Sequence, residues 1–363
     1  MEAAVYRARL EAAASRLGDT DALLVAPSAD LVYLTGYAPM PLARPTVLIV
    51  TPAGPTLVVP TLERPLADAC PAADAVDIVP WDDGADPYTT LAGYLPPGGS
   101  IAVGDRMWSA HLLALQALGT NRRWISGRRI LAPLRMRKDR HELEALRRAA
   151  AGADAALADL LRAPLAGRTE RDVAATLAEL LVAHGHGSAA FTIVASGPNA
   201  ASPHHEPSDR TIGSGDAVVL DFGGEVDGYH SDTTRTVVVG EPAAQLREVY
   251  EIVQDAYAAA LAVVRPGLAI QEVDRAARTV IAEAGYVDRF IHRTGHGIGL
   301  EIHEPPYAVT GDDTVLEPGM TFSIEPGIYL EGLFGVRIED IVAVTTDGVE
   351  SLNGSPRTLQ RVG

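Results

Sequence analysis

The sequence predicts an α+β protein of two domains, and three observations carry that reading: the length of the chain, a shift in composition near Leu134 and an internal repeat. A chain of 363 residues is long for one hydrophobic core, because single cores stop growing near about 250 to 300 residues. Before residue 134 the runs "ALLVA", "TVLIVTP", "TLVVP" and "SIAVG" read as short strands bounded by Pro, Gly and Asp, and "HLLALQAL" reads as a helix. These make residues 1–133 a smaller α/β domain. The segment "LAPLRMRKDR" then turns basic, and "KDRHELEALRRAAAGADAALADLLRA" follows with helical spacing and Asp139 placed to cap it. The second domain is therefore 134–363.

The repeat lies inside that second domain. "PLAGRTERDVAATLAELLVAHG" and "PGLAIQEVDRAARTVIAEAG" align at one offset, pairing Pro164 with Pro266, Glu170 with Glu272, Asp172 with Asp274, and Ala174 and Ala175 with Ala276 and Ala277. Each half offers a long helix, this second helix and then β-strands. Helices packed on one side of an antiparallel sheet, in a pseudo-twofold domain with its chemistry at the junction, is the expected architecture.

Composition narrows the function. A formal charge of −17 excludes the clustered Lys and Arg from which nucleic-acid binders draw their affinity. The lone cysteine, Cys70, excludes an internal disulfide framework, and the start "MEAAVYRARLEAA" carries charges where an export signal needs an apolar run, so a cytoplasmic protein is expected. No segment reaches the roughly 20 apolar residues that span a bilayer, and no membrane partner is expected.

The chemistry is written in acids and one glycine-flanked histidine. "TGHGIGLEIHE" is not a dinucleotide loop, because Leu300 stands where the last glycine is needed, and not a helical zinc motif, because its histidines are seven apart and Pro305 and Pro306 follow. Its partners must come from elsewhere. "AVVLDFGGEVDGYHSDTTRTVVVG" is an apolar strand ending at Asp221, a turn, and a second strand entered through Asp232; "GMTFSIEPGIYL" and "GVRIEDIVAV" place Glu325 and Glu339 inside apolar β runs. Four carboxylates converging from two hairpins repel one another unless cations neutralise them. With the imidazole of His296 they form an oxygen-rich donor set suited to manganese, cobalt, iron or zinc. Taken singly, each acid has a blander use: Asp as a turn former, Glu339 as an ion-pair partner of Arg337.

In order and spacing, "LDFGG", "SDTTRT", "TGHGIGLEIHE", "SIEPG" and "VRIED" resemble the successive signatures of the creatinase/prolidase/aminopeptidase P metallopeptidases, and "YLTGY" resembles their companion N-terminal domain. The resemblance implies the pita-bread fold for 134–363 and two divalent metal ions, manganese first, with cobalt or zinc as alternatives. It makes Asp221, Asp232, His296, Glu325 and Glu339 the metal ligands, with Glu325 also moving a proton. It makes His204 and His303 hydrogen-bond donors to the substrate and its oxyanion, with His205 as the neighbour that competes with His204 for the role. Arg337 resembles the residue that meets the substrate carboxylate, and Tyr229 and His292 take supporting places in substrate binding. The implied activity is hydrolysis of the Xaa-Pro bond of a small peptide with proline second, by a prolidase-like dipeptidase or by an aminopeptidase P acting on longer peptides. Creatine hydrolysis and a peptidase-like binding module are the remaining alternatives, and both usually lack this ligand set. The resemblance also implies a homodimer, with residues 1–133 contributing to it and partly covering the pocket.

Overall fold

The computed structural model describes residues 3–119 and 121–363; Met1, Glu2 and Thr120, the first two part of the start segment read above, lie outside the described residues. The chain divides into two units, Met1–Arg135 and Met136–Gly363. A six-stranded mixed sheet organises the first, in the spatial order Asp77–Trp81, Gly54–Pro60, Val47–Thr51, Ala22–Val25, Gly99–Val103, Arg122–Ser126. The four strands legible in the sequence take the middle places. The two strands at the edges, "DIVPW" and "RRWIS", escape a search for apolar runs because an edge strand has one neighbour and tolerates Pro80 or paired arginines. Leu91 and Leu115, from helices Pro87–Gly93 and Ser109–Ala117, pack with Leu24, Ile49 and Ile101 to close one face.

The second unit opens with helix Arg140–Leu160, and its start is built as the sequence predicts. The Asp139 carboxylate accepts from the amides of His141 (2.8 Å) and Glu142 (3.0 Å), while Glu142 Oε2 accepts from the Asp139 amide at 2.9 Å. This reciprocal cap satisfies amides that the first helical turn leaves without partners. Helix Glu170–Ala183 follows, and both helices pack through Leu157, Leu160, Val173, Leu177 and Leu181 onto Val218, Leu220, Phe222 and Val237 of an antiparallel sheet. The second half repeats the plan. Helices Ala244–Val263 and Gln271–Glu283 set Val249, Val253, Val273 and Ile281 against Phe322, Ile324, Val342 and Val344. The fold is the α+β pita-bread arrangement, helices laid on antiparallel sheets.

The register of the repeat differs from the sequence alignment by two residues. Structural equivalents stand 100 positions apart rather than 102: Gly167 and Gly267 share a positive φ, as do Gly185 and Gly285, and the amides of Gly167 and Gly267 donate to Ile212 and Leu316 at 2.9 Å each. Val173, Leu177 and Leu181 are buried where Val273, Ala277 and Ile281 are buried. The alanine and acidic identities at the other offset reflect helical composition, whereas the fold repeats burial and left-handed turns.

A β-bridge joins the two halves where the Glu339 amide donates to the Thr234 carbonyl at 3.0 Å. Nearby, Lys138 Nζ and Glu304 Oε1 form an ion pair at 2.7 Å, the two side chains only 1% and 2% exposed. Removing one member of such a pair strands the other charge in a dry interior, so Lys138→Met is expected to cost about 3–5 kcal/mol. Replacing both residues by Met should recover most of that loss. Urea unfolding of the single and double variants checks this, and an unchanged single variant would contradict it.

Candidate metal centre

Each half delivers its acids from equivalent places. Asp221 sits within strand Ala217–Val226, which continues past it to Val226 rather than ending there, and its cross-strand neighbour is Thr234. Asp232 stands immediately before strand Thr233–Val239. In the other half Glu325 directly follows strand Thr321–Ile324, and Glu339 directly precedes Asp340–Val344. Because Thr234 pairs with both Asp221 and Glu339, the junction sets acids from the two halves side by side. Thr234 also donates its hydroxyl to Glu339 Oε2 at 2.6 Å.

His296 enters from strand Gly295–Gly297. A methyl group on Gly295 would overlap the Ser323 carbonyl, and one on Gly297 the Pro305 carbonyl, so only glycine lets the neighbouring strands close in around the imidazole. The ring Nδ1 donates to the Gly297 carbonyl at 3.1 Å, which leaves Nε2 as the nitrogen with a free lone pair. That Nε2 lies 3.3 Å from Glu325 Oε1 and 3.6 Å from Asp232 Oδ2. Ligand atoms of Asp221, Asp232 and Glu339, of His296, Glu325 and Glu339, and of Asp232, His296 and His303 lie within 4.8 Å of one another in each trio. Asp232, His296 and Glu339 belong to two trios each. All five predicted ligand side chains are thus gathered in one place.

The electrostatics ask for cations. Burial first, and then the charges of Asp221 and Glu325, push Asp232 well above the usual carboxylate range; burial raises Glu339 too, with Asp232 the strongest repelling charge. Burial lifts Glu325 to about 7 although Arg337 opposes the rise. Burial, followed by the neighbouring His303, lowers His296 to about 3, so the imidazole is neutral and fit to be a ligand. One oxygen shows the fit directly. Asp221 Oδ2 is bonded by Arg337 Nη2, yet Asp221 Oδ1 is buried with no hydrogen-bond partner among the described residues, a costly state for a carboxylate oxygen unless a cation takes it. The donor set of four carboxylates and one imidazole fits divalent metal ions.

The remaining predicted residues divide into those brought near and those not. Arg337 is 3% exposed and donates to Thr234 Oγ1 (3.1 Å), the Tyr329 hydroxyl (2.7 Å), the Pro203 carbonyl (3.4 Å) and Asp221. It is a buried counter-charge, and its ion-pair partner is Asp221 rather than Glu339. His303 packs against His296 with ring centroids 3.9 Å apart, and the turn holding exposed His204 is tied to the centre through the Pro203 carbonyl. His292 Nε2 meets the Tyr329 hydroxyl at 2.9 Å, and its Nδ1 lies 4.0 Å from Glu325. Tyr229 is not among the gathered groups. Its hydroxyl donates to buried Glu142 at 2.8 Å and its ring packs with Ala145 and Leu146.

Two acids missed in the sequence hold the histidine segments. Glu170 accepts from Ser196, Asn199, Ser208 and, at 2.9 Å, His205 Nε2, so His205 anchors the loop while His204 is presented. Asp274 accepts from the Thr294 amide (3.2 Å) and hydroxyl (2.8 Å), at the head of the His296 strand. The signal was available. Glu170 lies three, four and seven residues before Val173, Ala174 and Leu177, on the apolar stripe of its helix, where a charge needs partners.

A fold of this kind around such a donor set defines a metallopeptidase, and the comparisons agree. Residues 144–346 match the model of metallopeptidase family M24, and residues 7–137 match the creatinase/prolidase N-terminal domain; the chain belongs to this family. It is 46% identical over 367 residues to a probable dipeptidase PepE of Mycobacterium tuberculosis, covering 99% of this chain and 97% of that one. It is 34% identical to an Xaa-Pro dipeptidase of Pyrococcus horikoshii over 93% of this chain and 94% of the relative. The crystal structure of dipeptidase PepE from Mycobacterium ulcerans superposes with a TM-score of 0.95 at 44% identity, covering 100% of this chain and 99% of that one.

Glu170 links stability to pH. Burial alone would raise its carboxyl, but hydrogen bonds from Ser208, Ser196 and His205 outweigh burial and hold it at about 2, below the ordinary 4.5. A depressed folded-state value stabilises above about pH 4.5, and that stabilisation is lost as pH falls toward 2. The stability advantage of the native chain over Glu170→Gln should therefore shrink by about 3 kcal/mol across that window. Urea unfolding at a series of pH values measures it, and an advantage constant with pH would refute the linkage.

Proposed function

We propose that this protein is a dinuclear-metal Xaa-Pro dipeptidase in which Asp221, Asp232, His296, Glu325 and Glu339 hold the ions. The observation that carries the reading is the buried Asp221 Oδ1, without a hydrogen-bond partner among the described residues, beside three other acids and a neutral imidazole. The names of the relatives, dipeptidase and Xaa-Pro dipeptidase, support the substrate class. Two divalent cations, when bound, would neutralise the carboxylates, lower the pKa of water and polarise the peptide carbonyl.

The chain's own groups do the rest. Asp232, Glu339 and His296, each in two of the trios, would hold the ions together with Glu325 and with Asp221, whose Oδ2 is fixed by Arg337. Glu325, steadied by the Ser323 hydroxyl at 3.1 Å, accepts the proton from attacking water and returns it to the leaving nitrogen. His204 and His303 donate hydrogen bonds to the substrate and to the oxygen on which negative charge develops. His292, bonded to Tyr329, supports the same wall. The oxygen-rich donor set favours manganese, with cobalt or zinc as substitutes. The reading also places the enzyme in the cytoplasm as a homodimer to which residues 1–133 contribute, in keeping with a single cysteine, Cys70, that is a buried free thiol.

Metal analysis of the purified protein should find two divalent ions per chain, with Glu339→Gln losing at least one. Chelation should abolish turnover and manganese restore it. Manganese-loaded enzyme should cleave Ala-Pro faster than Ala-Pro-Ala; preference for the tripeptide would make it an aminopeptidase, and no cleavage of either would end the peptidase reading. Glu325→Gln should lower kcat by about 10²- to 10⁴-fold, read from steady-state kinetics.

A further inference from the structure

One residue past Glu339 the chain builds a second concentration of charge, outside the metal centre. Asp340 is fully buried and accepts from Arg235 Nη2 at 2.6 Å, from the Tyr257 hydroxyl and from Arg357 Nε. Arg235 is buried too, and its remaining donors reach the carbonyls of Thr234, Glu339, Ser355 and Pro356. Arg357 is less committed. Its Nη2 donates to the Ser351 hydroxyl at 2.8 Å, but among the described residues no acceptor takes Nη1. Two guanidinium groups share one carboxylate, so the cluster carries a surplus positive charge.

Arg357 borders a cavity of about 650 Å³, within the roughly 300–1,000 Å³ of small-molecule sites. Helix Ala244–Val263 supplies one wall through Tyr257, Ala258 and Leu261, and Val349 adds an apolar side chain. Two further charged residues line the same space: Arg265, which is exposed, and Asp347. Asp347 Oδ1 accepts from the Thr345 hydroxyl at 3.1 Å, and among the described residues no donor takes Oδ2. A ligand that fills the cavity must therefore bring an anion for the guanidinium, a cation for the Asp347 carboxylate and an apolar body for Leu261, Val349 and the Tyr257 ring. A fatty acid would leave Asp347 repelled. A simple amine would leave Arg357 unmatched. A zwitterionic amino acid with an apolar side chain answers all three demands.

We propose that this cavity binds a free apolar α-amino acid, with its carboxylate on Arg357 and its ammonium on Asp347. Peptide hydrolysis releases molecules of this class; that connection rests on the peptidase reading, whereas the binding itself does not. Calorimetry on the metal-loaded protein compares L-leucine with leucinamide, which lacks the carboxylate, and with N-acetyl-leucine, which lacks the ammonium. The native chain should bind leucine at least about 10-fold more tightly than either. Arg357→Gln should bring leucine and leucinamide within about threefold, and Asp347→Asn, at an exposed position, should do the same for leucine and N-acetyl-leucine. Ala258→Trp, on the exposed side of its helix, fills the cavity without touching the Asp340 cluster and should abolish leucine binding. No leucine binding by the native chain, or equal affinity for the three probes, overturns the site. Leucine binding undiminished in Ala258→Trp belongs to the metal centre and overturns it equally. Turnover of Ala-Pro by the same preparations reports on the peptidase reading: leucine binding lost in Ala258→Trp, without turnover in the native chain, would leave the site standing and remove the peptidase.

Discussion

The structure turns on mutual repulsion among buried carboxylates. Asp221, Asp232, Glu325 and Glu339 are gathered in one cluster with Asp221, Asp232 and Glu339 buried, and burial and like charge drive three of the four upward. Arg337 offsets one charge of the four. Without further cations the group must take up protons; with two divalent ions it becomes a binding site. The fold keeps this strained set because strands from both halves leave the acids no room to separate.

Duplication explains how that packing arises. Within each half, one acid lies in or just after one strand and another stands immediately before the strand paired antiparallel with it, so two copies related by a pseudo-twofold bring four acids to the shared boundary. Thr234 is the hinge of this arrangement. It pairs with Asp221 on one side and Glu339 on the other, and its hydroxyl orients the latter. A single hydroxylated residue thus aligns ligands drawn from two halves of the chain.

A further set of acids positions the histidines. Glu170 ties the loop of His204, Asp274 the strand of His296, and the Lys138–Glu304 pair the turn that follows His303. These groups lie on the apolar faces of helices or under loops, where hydrogen bonds and counter-charges compensate their burial. The imidazoles are therefore held by rigid elements, which is what fixes geometry for catalysis to within fractions of an ångström.

Much of this was legible in sequence. The central strands, the capped helix at Asp139 and the five ligand types follow from local patterns: apolar runs, an acid before a helical stripe, acids inside strands that cannot be surface. Local patterns could not reveal the edge strands, whose half-exposed residues look like loop; the true register of the repeat, which follows burial rather than identity; or the partners of Arg337, Tyr229 and Glu170. A hydrogen bond is made by whatever the fold places within reach, and Asp221 lies 116 residues from Arg337. Sequence by itself determined which chemical groups the protein carries and the elements that bear them. Tertiary structure alone decided which of those groups meet, because that depends on packing between segments that no local pattern couples.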